Sequence, residues 1–335
     1  MLNEAEMVAN INKLVESNSK RIISSFTEKI KDFAEKSKID LRTAFVDYLN
    51  NSYHKYSLIK TILYKNQPKH LYDFFECNDV ILDDESIDCS NVNNILEISH
   101  FSLIVGHGGM GKSTLMKHFF LDALIKNQLI PIFIELRNFS ENDNLLDYCY
   151  CEISNLGFSA EKKYFEYALK SGCFLLILDG FDEIQDSCKK IFRQSLFSFV
   201  DQYPDNYYLV SSRPCEQFIG WSRFTKFDTI PFSKEKAVNL ISKIDYDTKT
   251  KDRFLTKLKD ELYDRHQSFA SNPLLLNIML LTFDNYSEIP DKLHIFYYQA
   301  FDTMYSIHDA TKPDGFKRDL KSSLPSVHRS VKNGQ

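Results

Sequence analysis

The stretch Phe101–Phe120, FSLIVGHGGMGKSTLMKHFF, decides how this chain is read. Its centre, Gly106-His107-Gly108-Gly109-Met110-Gly111-Lys112-Ser113-Thr114, has the spacing G-x-x-x-x-G-K-[ST]. The apolar run FSLIV reads as a strand entering the loop. Leu115, Phe119 and Ala123 then share one face of a helix leaving it, with Met116, Phe120 and Leu124 beside them. Strand, glycine-rich loop and helix are the context in which backbone N–H groups turn inward on phosphate oxygens. The helix N-terminus adds partial positive charge at the same spot. Lys112 is expected to reach the β- and γ-phosphates, and the Ser113 hydroxyl to ligate Mg²⁺.

Downstream comes FLLILDGFDEI, Phe174–Ile184. An apolar strand that ends in an aspartate puts a carboxylate at the carboxyl edge of a sheet, where ligands of open α/β sheets sit. Asp179 is expected to hold Mg²⁺ through its water shell. Asp182 and Glu183 lie one turn further on, and either could orient or deprotonate an attacking water. A third strand, YYLVSSRP (residues 207–214), ends in Ser211, Ser212 and Arg213. A guanidinium at that edge is suited to contact a γ-phosphate and sense its loss.

Around these motifs, five apolar runs alternate with helical stretches: Phe101–Val105, Ile130–Leu136, Phe174–Leu178, Tyr207–Ser211 and Lys226–Ile230. The alternation predicts βαβ units and a parallel sheet covered on both faces, across a domain of residues 96–232. Residues 1–95 read as mainly helical, with Ile22, Phe26, Ile30 and Phe33 at helical spacing. Within them, the acidic segment Asn78–Asn94 reads as a linker or a loop-rich entry into the next domain. Residues 233–285 turn helical again, with Ser233 and Asn272 as N-caps and Pro273 at a first helical position. Residues 286–335 hold one more apolar helix around Leu293–Tyr305 and a polar tail.

Composition limits the function classes. The 335 residues are 43% hydrophobic and 26% charged, as in a globular protein. A net charge of −5 and the absence of any long Lys/Arg run argue against standing nucleic-acid binding. The seven cysteines form no Cys-x-x-Cys pair, so neither a disulfide framework nor a zinc site is indicated. The N-terminus lacks the apolar core of a signal peptide, and no apolar run is long enough to span a bilayer. A cytoplasmic location without a membrane span is expected.

Taken together, the P-loop, the acidic strand and the SSRP strand resemble the NACHT family of STAND ATPases, relatives of AAA+ proteins. The closest resemblance is Asp179-Gly180-Phe181-Asp182-Glu183, a small residue after the Mg²⁺-directed aspartate and acidic residues three and four positions on. The SSRP end looks like the family's sensor segment. Asn272-Pro273-Leu274-Leu275 looks like its helical-domain motif, with Pro273 packing near the adenine. Tyr53–Phe75 and Ile307–Leu320 are similar to the segments that precede the domain and open its winged helix, so the resemblance covers roughly residues 53–320.

That resemblance implies a five-stranded parallel sheet in order 5-1-4-3-2, an N-terminal helical region and a C-terminal helical lid. It implies ATP or ADP with Mg²⁺ as ligands, slow ATP hydrolysis, and a switch that oligomerises with ATP under an unidentified trigger. In bacteria such proteins often serve anti-phage defence. The chain stops at Gln335, before a winged helix would finish, so a C-terminal sensor is expected to be missing. Two other functions fit the same motifs: a turnover ATPase remodelling nucleic acid or protein, and a nucleotide-binding scaffold without hydrolysis.

Overall fold

The computed structural model describes residue 17 and residues 41–64, 67–126, 129–215, 218, 220–290 and 295–300. The stripe Ile22–Phe33, the stretch Ile307–Leu320 and the tail lie outside the described residues, and the helix at Leu293–Tyr305 falls only partly within them.

The centre is a mixed sheet of seven strands: β1 (Val80–Leu82), β2 (Glu85–Ile87), β3 (Phe101–Val105), β4 (Ile130–Glu135), β5 (Phe174–Asp179), β6 (Tyr207–Ser212) and β7 (Thr225–Thr229), in the order β2-β1-β7-β3-β6-β5-β4. The expectation of five strands is corrected to seven. β3 to β7 are parallel. β1 joins the β7 edge antiparallel, pairing Val80 with Thr229, and β2 folds back on β1. Within residues 78–94, expected as a linker or a loop-rich entry, the β1–β2 hairpin extends the sheet. Its turn is Asp83-Asp84, both left-handed with φ of 47° and 67°, the pairing a tight two-residue hairpin requires. Strands of three residues around two aspartates carry too little apolar pattern to read as sheet.

β5 is buried along its whole length, which fits its unbroken apolar run and its place between β6 and β4. Each fully buried Leu, Ile or Phe there contributes about 1.5–3 kcal/mol by leaving water. Helix α1 (Leu41–Ser57) lies along the outer strand β4, and α2 (Lys112–Lys126) packs on the sheet behind the loop. Rings of Phe45 and Phe174, and of Tyr56 and Phe133, meet at 5.7 and 4.6 Å. Three tyrosine hydroxyls donate to alternate carbonyls of β4: Tyr48 to Pro131 at 3.1 Å, Tyr56 to Phe133 at 3.3 Å and Tyr148 to Glu135 at 2.9 Å. Among the described residues β4 pairs only with β5, so this row satisfies the acceptors of an edge that the described strands leave open. Tyr148 belongs to α3 (Leu145–Asn155), which precedes α4 (Lys162–Lys170) and α5 (Asp186–Gln202).

After β7 the chain is helical. Ser233 Oγ accepts from Lys236 N and caps α6 (Lys234–Lys243), and Asp247 caps α7 (Thr248–Lys257). Asn272 caps α8 (Pro273–Tyr286), whose first residue is the proline. Two α6 lysines bind the segment before the hairpin: Lys236 contacts Asp79 at 2.6 Å and Lys243 contacts Glu76 at 2.7 Å. These pairs hold residues 75–79 beside the sheet's carboxyl edge. Among the described residues, no helix is long and apolar enough to cross a membrane.

Candidate functional site at the carboxyl edge of the sheet

The loop between β3 and α2 starts with Gly106 N donating to Ser212 O at 3.1 Å, which ties it to the end of β6. Gly109 has φ of 80°, and a Cβ there would stand 2.6 Å from Asn272 Oδ1. The position is therefore closed to any side chain, both by conformation and by contact. Lys112 opens α2 and curls back over the loop, its Nζ donating to Gly106 O at 2.6 Å and His107 O at 3.1 Å. Burial holds the ammonium below the ordinary lysine range; Asp182 opposes that shift and Arg213 adds to it.

β5 delivers Asp179 to the same edge. Gly180 follows in the left-handed region at φ 86°, and a single tight turn, Phe181–Glu183, presents the two acids beyond it. Phe181 anchors this turn in a ring cluster with Phe192 and Trp221. Ser211, at the end of β6, donates to Asp179 Oδ1 at 2.5 Å and accepts from Gly180 N at 2.9 Å. Burial raises the Asp179 carboxyl above the usual carboxylate range, while Ser211 and Ser113 hydroxyls favour its charge. A buried carboxylate supported by hydroxyls rather than by an adjacent ion pair suits a divalent cation that arrives with its ligand. No group of three or more His, Cys, Asp or Glu among the described residues could hold a metal by itself. Phosphate oxygens would complete such a cation's shell.

Glu183 is exposed, and its carboxyl is raised first by partial desolvation and then by Asp179 and Asp182. Asp182 is engaged by Arg213, whose Nε lies 3.0 Å from Oδ2 and whose backbone N donates to Oδ1 at 3.0 Å.

A cavity of about 450 Å³ is lined by these groups together with apolar side chains. Ile59, Phe74, Phe232, Leu240 and Pro273 supply apolar lining, the kind of surface a planar base packs against. Asn78 donates from Nδ2 to Met110 O at 3.0 Å and so fixes the loop against the hairpin.

Of the residues expected from sequence, Gly108 to Thr114, Asp182, Glu183, Arg213 and Pro273 line this one cavity. Gly106 and His107 do not: Gly106 is buried against Thr229, and His107 faces solvent. Asp179 sits just behind the lining, on Ser211. Sequence reasoning missed Ile59–Ile62 and Phe74–Asn78 as part of the wall, and missed Ser211 and Asn272 as supports. The Asn272-Pro273 cap was visible, but not that Asn272 Nδ2 donates to Gly108 O, 2.9 Å away.

Residues 100–244 match the family model of the NACHT domain. No curated protein matches the chain. Among solved structures, that of C. elegans PCH-2 is similar at 12% identity and a TM-score of 0.34, over 64% of this chain and 63% of that one. The chain thus spans less than two thirds of that structure's length.

Proposed function

Residues 100–244 are a NACHT domain, a nucleotide-binding P-loop NTPase module, and from that premise we propose that the chain is an ATP-dependent switch with slow Mg²⁺-assisted hydrolysis. The observation behind this reading is the convergence of Lys112, Ser113, Glu183 and Arg213 on one cavity that also has apolar lining. Lys112 exchanges its two loop carbonyls for phosphate oxygens. Ser113 and Asp179 would hold Mg²⁺, which when bound neutralises phosphate charge. Glu183 accepts a proton from the attacking water, and Arg213 contacts the terminal phosphate. Pro273 and the apolar wall take the adenine.

In this reading α6 to α8 form the lid, because Asn272 joins them directly to Gly108 and a phosphate at the loop bears on that joint. Self-association with ATP is the output. The family resemblance extends the proposal to anti-phage defence.

Light scattering of the full chain with ATP·Mg²⁺ and with ADP tests the switch. A rise in mass with ATP alone, absent in Lys112→Ala, is expected; equal mass in every nucleotide state would count against it. Fluorescent-nucleotide binding lost in Lys112→Ala, with phosphate release lost but binding kept in Glu183→Gln, tests the assignments. Plaque counts on cells carrying the wild-type chain or Lys112→Ala test the defence role.

A further inference from the structure

Asp182 and Glu183 are adjacent acids, yet their surroundings differ. Both Asp182 oxygens are engaged by one residue: Oδ1 accepts from the Arg213 backbone N and Oδ2 faces Arg213 Nε, each at 3.0 Å. Among the described residues, no hydrogen bond or ion pair engages the Glu183 carboxylate. The Arg213 guanidinium lies over the P-loop: a Cβ on Gly108 would meet its Cζ at 3.7 Å and its Nη1 at 3.8 Å. Asp182 thus grips the inner nitrogen of the fork and the backbone behind it, and the guanidinium lies beside Gly108 of the phosphate loop with its terminal Nη1 as close as that inner nitrogen. A planar guanidinium held at Nε can still offer its two terminal nitrogens to an oxyanion.

We propose that Asp182 is a positioning residue for Arg213 rather than a base, and that by aiming the guanidinium over Gly108 it sets the preference of the site for a nucleoside triphosphate over a diphosphate. This rests on the nucleotide-binding reading above. An arginine on a strand end has many rotamers, most of which point into water. Fixing both its backbone and its Nε removes that freedom before the ligand arrives, so more of the contact with a terminal phosphate appears as affinity. A diphosphate has no group at that place and gains nothing from the aim.

The experiment measures affinities for ATP and ADP, with Mg²⁺, of the full-length wild type, Asp182→Ala, Asp182→Asn, Arg213→Ala and Asp182→Ala/Arg213→Ala. The ATP-over-ADP preference should fall about two- to fivefold in Asp182→Ala. It should fall less in Asp182→Asn, which keeps an acceptor for the backbone N–H. In the Arg213→Ala background, adding Asp182→Ala should change nothing further. An unchanged ratio in Asp182→Ala overturns the proposal, as does an equal loss for ATP and ADP or full additivity with Arg213→Ala. If Asp182→Ala does not fold, Asp182→Asn decides it by the same ratio. Absence of any ATP binding by wild type would instead defeat the nucleotide-binding reading itself.

Discussion

Asn272 serves two elements with one carboxamide: its Oδ1 accepts from Leu274 N and Leu275 N at the start of α8, and its Nδ2 donates to Gly108 O in the phosphate loop. Asp keeps the capping oxygen but cannot donate. Asn272→Asp should retain α8 and turn the contact with Gly108 into two facing acceptors. Nucleotide affinity is expected to fall several-fold while far-UV helicity stays. Asn272→Ala should in addition lose about 1 kcal/mol of stability through the missing cap. Calorimetric titration with ATP, beside urea unfolding, separates the two effects.

Asp179 should be a liability without ligand and indispensable with it. Its folded carboxyl is raised above the unfolded value by burial, so the ionised form costs stability near neutral pH. Asp179→Asn should therefore raise the nucleotide-free melting temperature and abolish the further stabilisation given by ATP·Mg²⁺ over ATP with EDTA. Differential scanning fluorimetry reads both. A lower melting temperature in the variant would show that the Ser211 and Ser113 contacts outweigh the burial of charge.

His118 gives the opposite pH dependence. It is buried on α2, with Nδ1 against the Tyr72 hydroxyl at 3.1 Å and Nε2 against Cys89 O at 3.1 Å. The neutral ring satisfies both partners, donating from Nε2 and accepting at Nδ1. Burial lowers its pKa, with Lys126 adding to the shift and Asp122 opposing it. A folded pKa below the unfolded value of about 6.5 means that the unfolded chain binds the extra proton first. Stability is thus complete above about pH 6.5 and declines as pH falls from there through the folded pKa. The loss between about pH 7.5 and 5.5 should be smaller in His118→Gln than in wild type. Asp179 pulls the other way in both proteins, so the difference between them isolates the histidine.

Tyr56→Phe leaves Phe133 O without its hydroxyl donor in a buried setting. A loss of about 1–3 kcal/mol in urea unfolding is expected, with nucleotide affinity unchanged because β4 offers nothing to the cavity. Tyr48→Phe should act in the same way through Pro131.

What could be read from the sequence follows from how local each feature is. The P-loop, Asp179 with its acidic turn, and the caps at Ser233 and Asn272 are contiguous signals, and their physics is complete within a few residues. The β1–β2 hairpin was illegible because two left-handed aspartates and three-residue strands resemble a polar loop. The apolar lining of the cavity was illegible for another reason. Ile59, Phe74, Phe232 and Pro273 are far apart in the chain, and long-range contacts such as the grip of the α6 lysines on Glu76 and Asp79 bring the first two to the last two. Arg213 was found by its place at a strand end, but its grip by Asp182 depends on two strands lying side by side.

The tyrosine row on β4 also has a mechanical meaning. Two of its three hydroxyls come from α1, so that helix cannot lift away without stranding carbonyls of the outermost strand. A push or pull on α1 therefore passes straight into the sheet that carries Asp179, with no slack to absorb it. The same row denies that border to a neighbouring backbone. Chains of this kind crowding together would have to recognise one another through side chains, and could not template each other strand upon strand there.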